Sequence, residues 1–524
     1  MKLTCDIAII GSGAAGGVLA STLAEKTDKK ILLLEKGGYY ESSTFVQEEL
    51  GARHLFSGLG TRGTKDGSMA VRGGECVGGG TTVNVALCFD PVQSVWDRWK
   101  RQYGINNYSF DANSNDYGIT GLNMPKALQH VRERINIHQP ADEKVNDNNR
   151  LFANGCKAEG VTYKKFELNM KDCIGCGFCT LGCAYDRKMG TMITYIQDAI
   201  RNGVQVIHNC HIEKINFSRK NGSRTAIGVK GKIVSAHPKS LPNIYPEGSI
   251  SISAKLIIVA SGAVESPSLL IRSHHPDPND AIGRGLILHP SLPIIGLQNK
   301  TLVNYRGITG SMYSDHFYES HGFYFECLFG HPIYSSGVIP GFGNSHFEIM
   351  MKYQEISAFG VMLIDTPIKQ NKVLWNFHSK KTEIFYRLTK SDKARLRFAA
   401  TKGVEIMFGS GASEVMLPSE EPIGPLSRPH FRSRQEAQYC NNLKFTPHQT
   451  VITSAHCQAT VSMGEDHENG ILNSRCESKT VRNLMVCDSS SFPDSCGANP
   501  MVSIMVMARY QGTRVANELA RYDM

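Results

Sequence analysis

The chain has 524 residues, 41% of them hydrophobic and 20% charged, with a formal net charge of +9. Such usage excludes a disordered or fibrous polypeptide, and the length is about three to four domains' worth of chain with a large core. The positive excess forms no long Lys/Arg run, so a general solubility charge is a better reading than a nucleic-acid partner, and the lack of an 18-residue apolar stretch excludes a spanning helix.

Met1 to Cys5 lead straight into a strand pattern, without the charged, apolar and cleavage regions of a signal peptide, so a cytoplasmic protein starting at Met1 is expected. Asp6 to Ile10 (DIAII) reads as a buried parallel strand, Gly17 to Glu25 as a helix and Lys30 to Glu35 (KILLLE) as a second buried strand. Together they form a βαβ unit. Between strand and helix, Gly11-Ser12-Gly13-Ala14-Ala15-Gly16 fits G-x-G-x-x-G. Gly11 makes the tight turn, Gly13 lets the backbone approach a pyrophosphate, and Gly16 lets helix and strand pack closely. The helix N-terminus offers free N–H groups to the phosphates. Glu35 ends the second strand and suits a ribose hydroxyl, which argues against a 2′-phosphate. This unit alone does not separate NAD from FAD.

Leu55 to Gly80 is glycine-rich and reads as an extended loop over a ligand, and a helix is predicted from Ala141 to Gly160. Next come Cys173, Cys176, Cys179 and Cys183, four thiols interleaved with Gly175, Gly177 and Gly182. The spacing resembles the bacterial ferredoxin run, and glycines there let main-chain N–H groups turn toward sulfur. No second run accompanies it, and Ala184 stands where such a run has proline. A 3Fe-4S cluster on three thiols and a 4Fe-4S cluster on four therefore both suit the pattern. Zinc and free thiols are the alternatives, although zinc sites usually separate two cysteine pairs by a longer loop. Other cysteines of the 15, such as Cys76, Cys88 and Cys496, read as small packing residues.

Ile193 to Asn202 reads as a helix, Val204 to Ile207 and Lys255 to Ala260 as strands, and a further helix is predicted from Ser266. Across 291–445 the texture changes: runs such as His321 to Phe329 and His346 to Gln354 predict an antiparallel sheet with covering helices. The α/β texture returns in the last 70 residues. One nucleotide-binding domain interrupted by a second domain accounts for this better than consecutive domains.

Five motifs occur in one order: the N-terminal glycine turn, Gly78-Gly79-Gly80-Thr81-Thr82-Val83-Asn84, Ser261 to Pro267 (SGAVESP), Gly283-Arg284 with His289-Pro290, and Asp488 to Pro500 (DSSSFPDSCGANP). Together they resemble the glucose–methanol–choline (GMC) family of FAD-dependent alcohol oxidoreductases. The resemblance implies an α/β fold in which an FAD-binding, Rossmann-like domain (1–90, 190–290 and 446–524) is interrupted by two segments. These are an insertion at 91–189, carrying the cysteines, and an α+β substrate domain with an antiparallel sheet at 291–445. It implies that Gly11, Gly13 and Gly16 bind the FAD diphosphate and Glu35 the adenosine ribose. Gly80 and Asn84 would lie along the flavin, Ile212 would meet adenine through main chain, and Asp488, Asn499 and Pro500 would reach the ribityl chain and ring.

The family oxidises a CH–OH group, for which a neutral imidazole is a suitable base near pH 7. Ser454-Ala455-His456 resembles the catalytic-histidine stretch, with Ala459 and Ser462 where the family commonly has glycine and a basic residue. His456 is thus the expected base or proton relay, and Asn499, which does not titrate, the group that orients the substrate oxygen. Some family members carry an iron–sulfur cluster in the region of the cysteine run. A dehydrogenase that oxidises a small-molecule alcohol and passes electrons through a cluster to an acceptor protein or quinone is the first reading. An O2-using alcohol oxidase with structural cysteines is the second, and a flavoprotein that only shuttles electrons the third.

Overall fold

The short apolar runs become the strands of a parallel sheet in the computed structural model of the chain, which describes residues 1–220, 222–466 and 470–524. Its strands are β1 (Ile7–Ile10), β2 (Ile31–Leu34), β3 (Gln205–Ile207), β4 (Leu256–Val259) and β5 (Leu484–Val486). They lie in the order β5-β4-β1-β2-β3, and every pairing is parallel. Every residue of β1, β2, β4 and β5 is buried, as expected of strands covered on both faces. The sheet joins segments from the start, middle and end of the chain.

The helices around it differ from the sequence expectation at their starts. The first runs Ala14–Lys26, beginning directly at the glycine turn. The helix predicted from Ser266 begins at Gly262 and includes Pro267. Two remote residues explain this. Asp488 accepts from the Gly262 N–H at 2.8 Å and the Ser266 hydroxyl at 2.6 Å, capping the first turn. Pro267 has no N–H for the Ala263 carbonyl, which instead accepts from the Thr460 hydroxyl at 2.8 Å. The helix expected over 141–160 runs Asp147–Ala158, because the Asn146 side chain caps it by accepting from the Asn149 N–H.

A second sheet, antiparallel in all but one pairing, has nine strands among the described residues. At its centre Ser291–Leu297 pairs with Ile356–Leu363, which pairs with Phe323–Glu326. The sheet also takes in Ile452–Ser454 and Met69–Val71, from well outside 291–445. His321–Phe329 thus contributes a strand, whereas His346–Gln354 falls largely in the helix Asn344–Met351. The long helix Lys390–Gly409 covers one face, packing Leu396, Ala400 and Val404 into a core with Leu292, Ile294, Phe323 and Phe325.

Candidate active site

A cavity of about 560 Å³ lies between the ends of the parallel strands, at Ile10, Leu34 and Ala260, and the antiparallel sheet, at Ser291, Ile295 and Met362. At the parallel end its wall includes Gly11, Gly13, Glu35 and Ile212. Gly80, Asn84, Asp488 and Pro500 line it further along, with His456 and Asn499 near the antiparallel sheet. Gly16 lies behind the wall, where a Cβ would collide with the Gly11 carbonyl oxygen, so its part is helix–strand packing. The four cysteines of the run line a separate, smaller cavity.

The parallel end is made mostly of main chain. The helix Ala14–Lys26 opens at Gly13 with no capping side chain, which leaves its first N–H groups to an anion. Gly79, at φ +51°, approaches so closely that a Cβ on it would sit 2.9 Å from the Gly13 Cα. A Cβ on Gly80 would meet no protein atom within 4 Å, so this turn is open toward the cavity. Glu35 Oε2 accepts from the Ser12 N–H (3.0 Å) and hydroxyl (2.7 Å), and Oε1 from the Gly37 N–H (2.9 Å). Burial pushes this carboxyl up and those donors counter it. The Ser12 hydroxyl also accepts from the Gly78 N–H at 3.1 Å, stitching the two glycine turns together.

In three predicted residues the polar groups expected to face a ligand are engaged within the chain: side-chain groups in Asp488 and Asn84, the main-chain carbonyl in Ile212. Both oxygens of Asp488 are engaged by its own chain, with Ser490 N–H donating at 2.7 Å beside Gly262 and Ser266. The Ile212 carbonyl accepts from Arg272 Nη2 at 2.7 Å. The Asn84 amide nitrogen lies 3.0 Å from the Met501 sulfur. Pro500 begins the helix Met501–Asn517, which also opens without a capping side chain. Uncapped helix ends, glycine turns with room beside them and an acidic residue at the end of β2 fit an FAD dinucleotide.

Side chains build the other end. His456 follows the strand Ile452–Ser454, its N–H donating to Ser454 Oγ at 3.3 Å. Its ring lies 5.8 Å from that of His289, inclined at 72°. Burial lowers His456 to about 4 and holds His289 well below the ordinary imidazole value, so both rings are neutral near pH 7. His289 is held at φ +49°. Its N–H and that of Leu288 donate to the buried Asp365 carboxyl, which also accepts from the Tyr386 hydroxyl. His289 Nε2 pairs with Ser495 Oγ at 2.7 Å. Gln458 joins the two histidines to the C-terminal loop: its amide nitrogen donates to the His456 carbonyl at 3.1 Å and lies 3.2 Å from His289 Nε2, while its oxygen accepts from the Cys496 N–H at 2.9 Å. Ala459, where glycine is common in the resembled family, sits at φ +67°, the left-handed region that favours glycine.

Sequence reasoning missed Glu326. It ends the strand Phe323–Glu326, is 4% exposed and lines the cavity beside Asn499. Burial pushes its carboxyl up to about 7, against a hydrogen bond from Asn499. Glu326 Oε1 and Asn499 Oδ1, both buried, have no partner among the described residues. The signal available was one carboxylate inside the otherwise apolar run Phe323 to Leu328. Pro293, Ile295, Leu328, Val338, Ile339 and Phe359 add hydrocarbon to the wall, alongside further polar groups that include Glu49, Arg62, Arg72 and His331.

The cysteine loop borders this cavity. Cys173, Cys176, Cys179 and Cys183 surround a space of about 20 Å³. Gly175 N–H donates to Cys173 Sγ at 3.4 Å, and Arg187 and Lys188 N–H to Cys183 Sγ at 3.3 and 3.4 Å. Thr180 and Leu181, within the same run, line the large cavity, so the two spaces share this wall. Among the described residues, no three His, Cys, Asp or Glu groups converge as a single metal ion requires.

Models of the GMC oxidoreductase family match residues 52–291 and 375–508. A long-chain-alcohol oxidase of Arabidopsis thaliana is 27% identical over 545 residues, covering 99% of this chain and 70% of its own. Among solved structures, pyridoxine 4-oxidase from Mesorbium loti superposes with a TM-score of 0.68 at 17% identity, over 98% of this chain and 99% of its own. Formate oxidase of Aspergillus oryzae, whose FAD is modified, gives 0.68 at 13% identity over 99% of both chains.

Proposed function

The chain belongs to the GMC oxidoreductases, a family of FAD-binding flavoproteins, and from that premise we propose that it oxidises the CH–OH group of an apolar alcohol to a carbonyl. One observation carries the reading: His456 and Asn499 share a cavity with Gly13 and Glu35. FAD, when bound, supplies the acceptor for the hydride leaving the carbinol carbon. The neutral imidazole of His456 takes the hydroxyl proton on a ring nitrogen. Asn499, hydrogen-bonded to Glu326, holds the substrate oxygen beside it. Val338, Ile339 and Phe359 receive the alcohol's apolar part and exclude water. The long-chain alcohols named for the Arabidopsis thaliana relatives support the same substrate class.

The test is anaerobic mixing of the FAD-loaded protein with alcohols of graded chain length. The yellow absorbance is expected to bleach, fastest with apolar alcohols. His456→Gln should keep FAD and slow bleaching by about two to four orders of magnitude. An unchanged rate removes His456 from the chemistry, and no bleaching by any alcohol overturns the reading in favour of a flavin that only shuttles electrons.

For the electrons we read Cys173, Cys176, Cys179 and Cys183 as the ligands of an iron–sulfur cluster, of the 3Fe-4S or 4Fe-4S type. The two electrons from each alcohol would leave singly, to two one-electron carrier proteins or to one quinone. The wall shared at Thr180 and Leu181 supports this route. The oxidase names of the plant relatives favour a second reading, in which O2 takes both electrons. One hydrogen peroxide per alcohol, without stoichiometric iron and acid-labile sulfide, selects the second. Iron, sulfide and carrier reduction with little peroxide select the first.

A further inference from the structure

We propose that Glu326 is the positioning residue for Asn499: when protonated it donates to the Asn499 amide oxygen and so turns the amide nitrogen onto the substrate oxygen. The inference rests on the alcohol-oxidising reading above.

Strand and loop are tied together at this point. Tyr324 and Glu326, two residues apart, share one face of the strand Phe323–Glu326. The Tyr324 hydroxyl donates to the Gly497 carbonyl at 3.2 Å, which holds the loop carrying Asn499 against the strand. Glu326 and Asn499 lie within hydrogen-bonding reach of each other and line the same cavity. Yet Glu326 Oε1 and Asn499 Oδ1, both buried, have no partner among the described residues. Both are acceptors while the carboxyl is ionised, and two unsatisfied buried acceptors are costly. One proton on Glu326 removes that cost, because its O–H donates to the amide oxygen and satisfies both groups in a single bond.

The amide then has one direction left. With its oxygen held by Glu326, its nitrogen faces the cavity as a donor. A donor is what the substrate oxygen needs, since negative charge grows on it as His456 takes the hydroxyl proton. An ionised Glu326 reverses the amide, drawing the nitrogen to itself and presenting an oxygen to that charge. Glu326 keeps its proton throughout the reaction and transfers nothing; its charge sets only the orientation of Asn499.

Its neighbours do not titrate in the same range. Across the sheet Glu326 pairs with Tyr313 on one side and Gly360 on the other. The strand Ile356–Leu363, which carries Gly360, has no titratable side chain. Asp315, just beyond Tyr313 and Ser314, is paired with Lys164. Burial pushes Tyr313 and Cys496 up to about 12 and raises Tyr324 well above the ordinary phenol value, so all three are neutral. His456 and His289, on the same cavity, are neutral near pH 7 as well. Burial, countered by Asn499, brings Glu326 to about 7, so among these groups it alone changes charge near neutrality.

The experiment measures anaerobic flavin bleaching by a saturating apolar alcohol at pH 6 and pH 9 in wild type, Glu326→Gln and Glu326→Leu. Glutamine keeps a donor for the Asn499 oxygen at every pH, so E326Q should bleach at least tenfold faster than wild type at pH 9. E326L offers no donor and should be at least tenfold slower than wild type at pH 6, with alcohol affinity changed less than the bleaching rate. E326M replaces E326L where the latter does not fold. A second readout is independent of turnover: the infrared carbonyl band of a protonated carboxyl, present at pH 6, lost at pH 9 and missing from E326Q at both. The same ratio of rates between the two pH values in wild type and E326Q, or an unchanged infrared band in E326Q, would overturn the orienting role. Failure of every alcohol to bleach wild type would instead overturn the alcohol reading, and this role with it, whatever the infrared band shows.

Discussion

At its parallel-sheet end the large cavity is walled by backbone, at Gly11, Gly13, Gly79 and Gly80; at its antiparallel end it is walled by side chains, His289, Glu326, His456 and Asn499. The first set sits in two turns stitched by Ser12. The second comes from four separate stretches, held by Asp365, Ser495 and Gln458. A wall of glycines tolerates no added Cβ, because the space belongs to neighbouring backbone or to the ligand. A wall of side chains tolerates replacement, but each change alters charge and proton affinity.

The comparison can be broken most severely at Gly16. In Gly16→Val the Cβ would collide with the Gly11 carbonyl oxygen and push the helix off β1. The variant is expected to purify without flavin and with a lowered melting temperature. A full complement of FAD would show that the glycine turn accommodates a side chain at this position.

At the other end Glu326→Gln should act through pH. Burial raises the Glu326 carboxyl from 4.5 to about 7. A carboxyl raised in the folded state contributes stability below its unfolded value, and that contribution is lost as pH rises through the folded value. Wild type should therefore lose stability relative to E326Q between about pH 4.5 and 7, by up to about 3 kcal/mol. Melting temperatures of both proteins at pH 5 and pH 8 read this difference. Parallel changes would show that Glu326 ionises freely.

The smallest effect is at Ala459, a backbone requirement on the side-chain end. With φ at +67°, Ala459→Gly should stabilise the fold by about 0.5–1 kcal/mol, measured as a rise in melting temperature. A fall would mean that the Ala459 methyl packs well enough to outweigh its backbone strain.

The legibility of the site follows the same division. A glycine turn, a strand and an acidic residue constrain one another over about 30 residues, so Gly11 to Glu35 could be read directly. Asp488 could be found by its motif but not understood, since its partners Gly262 and Ser266 lie more than 200 residues away. His289 stood in a recognisable pair with Pro290, yet its link to His456 through Gln458 exists only in the folded chain. Glu326 carried almost no sequence signal, because one carboxylate in an apolar strand looks the same facing solvent or cavity.

By itself the sequence determined the buried parallel strands, the glycine turns between them and the cysteine spacing, because each depends on conformations and contacts within a few turns of chain. Only the tertiary structure decided that Asp488 caps the helix Gly262–Arg272, that Thr460 satisfies the carbonyl freed by Pro267 and that Glu326 meets Asn499. Hydrogen-bond partners and proton affinities depend on how completely water is removed, and water is removed only when remote segments close over the same space.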